Sequence, residues 1–289
     1  MTSQNKHEGI VLLDKPLGIT SNLALQKAKR LLKAEKGGHT GSLDPLATGM
    51  LPLCFGEATK YSRFILEENK CYQATLCLGI TTTTGDSEGE IIEKKIVMIS
   101  SEKINNMLVH FQGSQTQIPP MYSDLKHQGQ PLYKLARQGI SIPRASREIH
   151  IHQLQLDKSE GIYITFTVTC SKGTYIRTLA EDMGNYLGCG AHLVMLRRLW
   201  VFPFQHYPMI SIDNVYDTPL LPIGQVLSLL LPTINITEKQ AYFLYLGQRI
   251  TMGSDLPNGW VSIVCNDNFI GVGERIDTLV LPKRLVRKG

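Results

Sequence analysis

The chain has 289 residues, with 30 Lys plus Arg against 25 Asp plus Glu for a formal net charge of +5, and it is 43% hydrophobic and 19% charged. That balance excludes a polybasic tail protein and an acidic disordered chain, and fits a folded globule of one large domain or one domain with a small satellite. Six cysteines without a C-x-x-C pair read as small buried hydrophobes in a reducing compartment, and no apolar run approaches the roughly 18 residues of a membrane span, so a cytoplasmic protein without a signal peptide is expected.

In chain order, residues 9–13 predict a short strand, closed by Asp14-Lys15-Pro16 and a turn at Gly18. A helix capped by Thr20 or Ser21 follows, with Leu23, Ala24, Ala28, Leu31 and Leu32 as its apolar positions and Lys27, Arg30 and Lys33 as a basic flank. Residues 37–49 hold four glycines and a proline with almost no periodicity and predict a loop. A helix is expected over 57–66, then a strand over 71–80 with Tyr72, Ala74, Leu76 and Leu78 on one face, a turn-rich segment over 81–89 and a helix over 101–111.

Between 119 and 152, Lys126, Lys134, Arg137, Arg144 and Arg147 are opposed only by Asp124 and Glu148, a local excess of three positive charges. Gly and Pro around a short helix at 132–138 predict an excursion from the main body, a basic flap. Strands at 148–156 and 163–170, a helix over 173–187 stopped by Gly188 and a strand at 193–201 complete an α+β body with a mixed, mostly antiparallel sheet. From about 233 the remainder, a helix at 238–246 among short β runs, reads as a small β-rich unit ending in the basic patch Lys283, Arg284, Arg287 and Lys288.

Several enzyme classes are excluded by absent signatures: there is no phosphate-binding G-x-x-x-x-G-K-[ST], no dinucleotide fingerprint, no H-E-x-x-H and no G-x-S-x-G. His150 and His152 share a strand face but lack a carboxylate or cysteine partner, so they read as solvated or RNA-facing and no metal site is expected. The segment Gly38-His39-Thr40-Gly41-Ser42-Leu43-Asp44-Pro45 presents Asp44 on a constrained backbone, where spacing alone favours an Asx-type turn and also admits a positioned nucleophile or base. An ionised buried carboxylate needs a cation. Arg177 stands at a strand-to-helix junction where it opposes the helix dipole, and reads either as a surface arginine or as the partner of a nearby anion.

These residues resemble the TruB family of bacterial tRNA pseudouridine synthases, which act on the T-loop uridine at position fifty-five. The resemblance runs from Gly9-Ile10-Val11-Leu12-Leu13-Asp14-Lys15-Pro16 through Gly38-His39-Thr40-Gly41-Ser42-Leu43-Asp44-Pro45-Leu46-Ala47-Thr48-Gly49 and Lys70-Cys71-Tyr72. It continues in Thr84-Gly85-Asp86-Ser87-Glu88-Gly89, Ile118-Pro119-Pro120-Met121-Tyr122-Ser123, the run from Ser171 to Leu179 and Gly188-Cys189-Gly190-Ala191-His192-Leu193.

The resemblance implies a pseudouridine synthase fold with a catalytic domain over 1–232, an RNA-clasping insertion over 119–152 and a PUA-type RNA-binding domain over 233–289. It implies Asp44 as nucleophile, Tyr72 as the aromatic that stacks on the target uracil and Arg177 as the ionic partner of Asp44. It places His39, Lys15 and Leu196 among the substrate-binding residues, and Lys126, Lys134 and Arg137 on the RNA-contacting flap. Isomerising uridine needs no redox change and no external group, so no cofactor is expected; the expected partner is the T-stem loop of tRNA, met by a monomer without an obligate protein partner. Without the resemblance Tyr72 reads first as a core tyrosine, and Asp86, between two glycines, more simply as a turn residue than as an acid/base partner of Asp44 in a hydrolase. A tRNA-binding or tRNA-folding protein that acts without catalysis is the alternative, resting on the basic flap and tail.

Overall fold

The computed structural model describes residues 8–253 and 256–286. The first apolar run forms β1 (Gly9–Lys15), buried nearly throughout. Helix α1 (Ser21–Leu31) follows, and Thr20 caps it by accepting the Leu23 N–H at 3.1 Å. Its buried stripe is Ala24, Leu25 and Ala28, continued by Leu32 beyond the helix end, while Leu23 and Leu31, expected in the core, are exposed.

The expected loop over 37–49 is shorter in the structure. Gly37–His39 forms β2 and Ala47–Phe55 forms β3, leaving only 40–46 irregular. β3 is almost wholly buried, so its sequence carries no polar alternation to mark it as a strand. A 3₁₀ turn (Gly56–Tyr61) and a short α2 (Ser62–Leu66) stand where one helix was expected. In β4 (Lys70–Leu78), Tyr72, Ala74, Leu76 and Leu78 do enter one core cluster. β5 (Ile80–Thr82) and β6 (Ile91–Lys94) flank the following turn, then come α3 (Ser101–Phe111), capped by Ser100, and β7 (Gly113–Gln117).

Residues 118–146 leave the sheet as the flap, containing the small hairpin β8 (Lys126–His127) and β9 (Gln130–Pro131) and helix α4 (Leu132–Ala136). The chain re-enters the sheet at β10 (Arg147–Glu160), so the last six residues of the expected excursion belong to that strand. β11 (Tyr163–Cys170), α5 (Ile176–Leu187) and β12 (Ala191–Val201) complete the body.

The sheet order is β1-β3-β12-β4-β11-β10-β7, with β2 paired to β3; β12–β3 is parallel and the other pairings are antiparallel. This is the expected α+β arrangement. Helices α1, α3 and α5 bury their apolar faces on one side of the sheet in the main core. On the other side Ile10, Leu12, Met50 and Cys54 pack with Phe204 and with Val226 of α6 (Ile223–Leu230). The parallel step needs a glycine: Gly49 has φ +98°, and a Cβ there would lie 2.2 Å from the Arg198 carbonyl oxygen.

The second sheet begins at β13 (Thr233–Asn235) and, after helix α7 (Glu238–Tyr245), adds β14 (Ile250–Thr251), β15 (Gly259–Cys265), β16 (Asn268–Ile276) and β17 (Leu279–Leu285) in the order β13-β15-β16-β17-β14. It has its own core around Ile234, Leu244, Val261, Ile263 and Val280. The seam with the body is apolar, built from Tyr61, Leu227 and Val272 with Phe64, Trp260 and Phe269 around them. Of the expected basic tail, Lys283 and Arg284 lie on β17, while Arg287 and Lys288 fall outside the described residues. All six cysteines are buried and free, and no helix among the described residues is long and apolar enough to cross a membrane.

Candidate active site

Asp44 sits in the irregular segment between β2 and β3, fastened from several sides. The Leu43 N–H donates to Ser21 Oγ at 2.7 Å and Ser21 Oγ donates back to the Leu43 carbonyl at 3.0 Å, so the start of α1 grips the loop. The Pro45 carbonyl accepts the Gly18 N–H at 2.9 Å and the Asp44 carbonyl accepts the Ala47 N–H at 3.0 Å. The backbone is thus fixed on both sides of a carboxylate whose side chain remains 43% exposed.

Arg177 meets it. Its Nε lies 3.0 Å from Asp44 Oδ2 and 3.6 Å from Asp86 Oδ2. Nη1 donates to the Thr84 carbonyl at 3.1 Å and Nη2 to the Tyr122 carbonyl at 2.6 Å, so the guanidinium is held on every nitrogen and is 6% exposed. Helix α5 begins at Ile176, later than expected, which makes Arg177 its second residue. Two anions answer the unfavourable placement of a cation at a helix N-terminus. Loss of hydration pushes the Asp44 pKa up, Arg177 opposes that, and the neighbouring Asp86 and Asp124 charges add to it.

Asp86 belongs to this cluster although its sequence context reads as a simple turn. The turn is stitched to the edge of β12 by Ser87 N–H to the Leu193 carbonyl (3.0 Å) and Leu193 N–H to the Gly85 carbonyl (3.0 Å). Asp86 Oδ1 accepts from Thr84 Oγ1 at 2.5 Å and from the Glu88 N–H at 3.1 Å, leaving Oδ2 toward Arg177.

Tyr72 and Leu196 come from adjacent strands of the same floor. Tyr72 lies opposite Arg198 in the β4–β12 register and Leu196 lies opposite Ala74, and both residues are 7% exposed. Burial raises the Tyr72 phenol pKa, with the Arg198 guanidinium opposing. Arg198 is itself 1% exposed; its Nε donates to the Met50 carbonyl at 2.6 Å and Nη2 to the Gly41 carbonyl at 3.2 Å. It ties β3, the Asp44 loop and the Tyr72 floor together, and sequence reasoning missed it. A signal was present: strand alternation puts residues 196 and 198 on one face, so an arginine two positions after Leu196 had to point into the site.

His39, on β2, is half-buried, its Nδ1 has no partner, and burial lowers its pKa while Asp124 opposes. Lys15, expected among substrate-binding residues, is wholly buried. Its ammonium donates to the Pro16 and Ile19 carbonyls at 2.9 and 2.7 Å, bracing the β1–α1 turn from beneath, and burial drives its pKa down to about 8. Lys126, Lys134 and Arg137 are exposed on the flap. His150 and His152 lie with ring centroids 4.7 Å apart on β10, and no group of three metal-binding side chains occurs among the described residues.

Comparison with known proteins bears on the same segments. Residues 29–176 match the family described as TruB family pseudouridylate synthase (N terminal domain), 177–226 the tRNA pseudouridylate synthase B C-terminal domain, and 232–286 Pseudouridine synthase II TruB, C-terminal. A relative from Nitrosococcus oceani named tRNA pseudouridine synthase B is 47% identical over 291 residues, covering 96% of this chain and 94% of its own. One of the same name from Buchnera aphidicola subsp. Acyrthosiphon pisum is 45% identical, covering 97% and 96%. Among solved structures, the chain titled "Crystal Structure of a Cbf5-Nop10-Gar1 Complex" aligns with a TM-score of 0.74 at 23% identity, covering 96% of this chain and 84% of that one, a likeness of fold. With three matches in order along the sequence and relatives close to half identical from end to end, the chain belongs to the TruB family of pseudouridylate synthases, a group of isomerases.

Proposed function

We propose that this enzyme converts the T-loop uridine at position fifty-five of tRNA to pseudouridine, with Asp44 as its nucleophile. The observation that carries the reading is the Arg177–Asp44 pair at 3.0 Å, on a loop fixed at Leu43 and Pro45 with the carboxylate still open on one side. The tRNA substrate follows from the names of the near-full-length relatives.

The reaction breaks the N–C1′ bond, turns the detached uracil and joins C5 to C1′, with C5 releasing its proton and N1 taking one up, so nothing is gained or lost overall. Asp44 acts at C1′, at the base C6 or by taking the 2′ proton; all three routes require an ionised carboxylate, and Arg177 favours that form against the desolvation that would protonate it. The uracil leaves its stack at a cost of a few kcal/mol, which stacking on Tyr72 and binding of the flap to RNA phosphates offset in part. His39 stands beside the nucleotide's backbone and assists extrusion of the base. Leu196 forms an apolar wall of the pocket. The C-terminal unit acts as a PUA-type module on the same RNA, with Lys283 and Arg284 on its last strand.

The test is incubation of the purified protein with an unmodified tRNA transcript, followed by mapping of pseudouridine. Product at position fifty-five, lost in Asp44→Asn while tRNA binding persists, is the expected result. Full activity in Asp44→Asn removes the nucleophile, and binding without any product leaves a tRNA-binding protein.

A further inference from the structure

The flap touches the Asp44 loop through a side-chain pair that the reaction does not employ. Ser42 Oγ donates to Asp124 Oδ2 at 2.5 Å, joining positions 82 residues apart. Ser42 precedes Asp44 by two residues, and Asp124 follows by two the Tyr122 whose carbonyl accepts from Arg177. The contacts therefore close a ring: Asp44 to Arg177, Arg177 to Tyr122, along the chain to Asp124, across to Ser42 and back along the chain to Asp44. Asp124 lies on a flap with Lys126, Lys134 and Arg137, yet no salt bridge between it and any of them occurs among the described residues; its carboxylate accepts from Ser42.

We propose that Asp124 is a positioning residue that, through Ser42, tethers the flap to the Asp44 loop and keeps the Tyr122 carbonyl where it orients Arg177 toward Asp44. The proposal rests on the reading that Asp44 performs the chemistry. The tether is not a closed door, because with the flap seated Asp44 keeps 43% of its side chain exposed. The bond itself is exposed, so its effect is a few-fold and not an on/off switch.

The charge on Asp124 acts separately from the tether. Asp44 is faced by Arg177 on α5, Asp86 and Glu88 in the turn after β5, Asp124 on the flap, Lys15 on β1 and Tyr72 on β4. Of these, Arg177 and Lys15 favour the carboxylate, while Asp86 and Asp124 disfavour it. Asp124→Asn keeps an acceptor for Ser42 and removes the charge, so it divides the two effects.

The experiment compares full-length Ser42→Ala, Asp124→Ala, the double variant and Asp124→Asn by single turnover at saturating unmodified tRNA transcript, by tRNA affinity, and by hydrogen exchange of residues 120–135 in the RNA-free protein. Each alanine variant should slow the single-turnover step about three- to tenfold with less than about a twofold change in Kd, and should speed amide exchange in the flap. The double variant should be no slower than either single one. Asp124→Asn should recover the plateau rate and move the acid limb of its pH profile to lower pH. Additive losses, losses confined to Kd, an asparagine variant as slow as alanine, or unaltered rates would overturn the proposal. If the wild type forms no pseudouridine, the functional reading fails, and flap exchange alone then decides the tether: unchanged protection sinks it, faster exchange retains it.

Discussion

The Asp44 cleft and the flap beside it are both supplied with basic residues, but they use them in opposite ways. Lys15, Arg177 and Arg198 are buried, and each spends its donors on named partners: the Pro16 and Ile19 carbonyls, the Asp44 and Asp86 carboxylates with two carbonyls, and the Met50 and Gly41 carbonyls. Lys126, Lys134 and Arg137 are exposed, and none forms a salt bridge among the described residues. A buried cation fixes geometry because removing it leaves unpaired polar atoms in a poorly hydrated place, whereas an exposed cation contributes through screened attraction. In the proposed function the first kind shapes the chemistry, and the second gathers the RNA polyanion.

Four perturbations bear on that contrast, in falling order of effect. Arg177→Ala should lower turnover about a hundred- to a thousandfold, with a much smaller change in tRNA affinity. Equal losses in single-turnover rate and affinity would move Arg177 to the binding side of the comparison. Arg198→Met leaves the Met50 and Gly41 carbonyls without their donors and should cost about 2–5 kcal/mol of stability, read from urea unfolding. A loss under about 0.5 kcal/mol would show that the buried arginine is expendable. Neutralising Lys126, Lys134 and Arg137 together should weaken tRNA binding about tenfold at moderate salt and flatten the salt dependence by about one unit for each lost phosphate contact, with the saturated rate unchanged. An unchanged salt slope would take the flap out of phosphate recognition.

The smallest effect concerns pH. Burial raises the Asp44 pKa above the ordinary aspartate value of 3.8, and the proposed nucleophile acts as the anion. Single-turnover rates should therefore fall as pH drops through that raised value, starting at a higher pH than a solvated aspartate would give. A rate that holds down to the ordinary aspartate range would mean that Arg177 outweighs desolvation in the bound state.

What the sequence discloses follows the same division. The Asp44 loop is legible because glycine and proline punctuate it, and α3 is legible because Ser100 caps a helix with helical spacing at Ile104, Met107, Leu108 and Phe111. β3 is hidden because a strand with both faces covered has no polar rhythm, and β2 because two glycines look like a turn until a partner strand pairs them. The roles of Arg198 and Lys15 are hidden for a different reason: the sequence does not show that their partners are backbone carbonyls. Asp86 is the intermediate case. Its turn is local and readable, but its approach to Arg177 depends on stitching to β12 more than a hundred residues later in the chain.

The seam between the body and the second sheet has a practical consequence. Tyr61 is wholly enclosed there with Leu227 and Val272, its hydroxyl donates to the Arg284 carbonyl at 3.3 Å, and Phe64 meets Trp260 edge-on at 5.3 Å while Arg63 lies over the same indole at 4.1 Å. Such a joint is a weld and not a hinge. Cutting the chain near 232 would strip the cover from Tyr61, Phe64 and Leu227 and leave a sticky apolar scar. A shortened body would then fail in solution for colloidal reasons, whatever its active site can do.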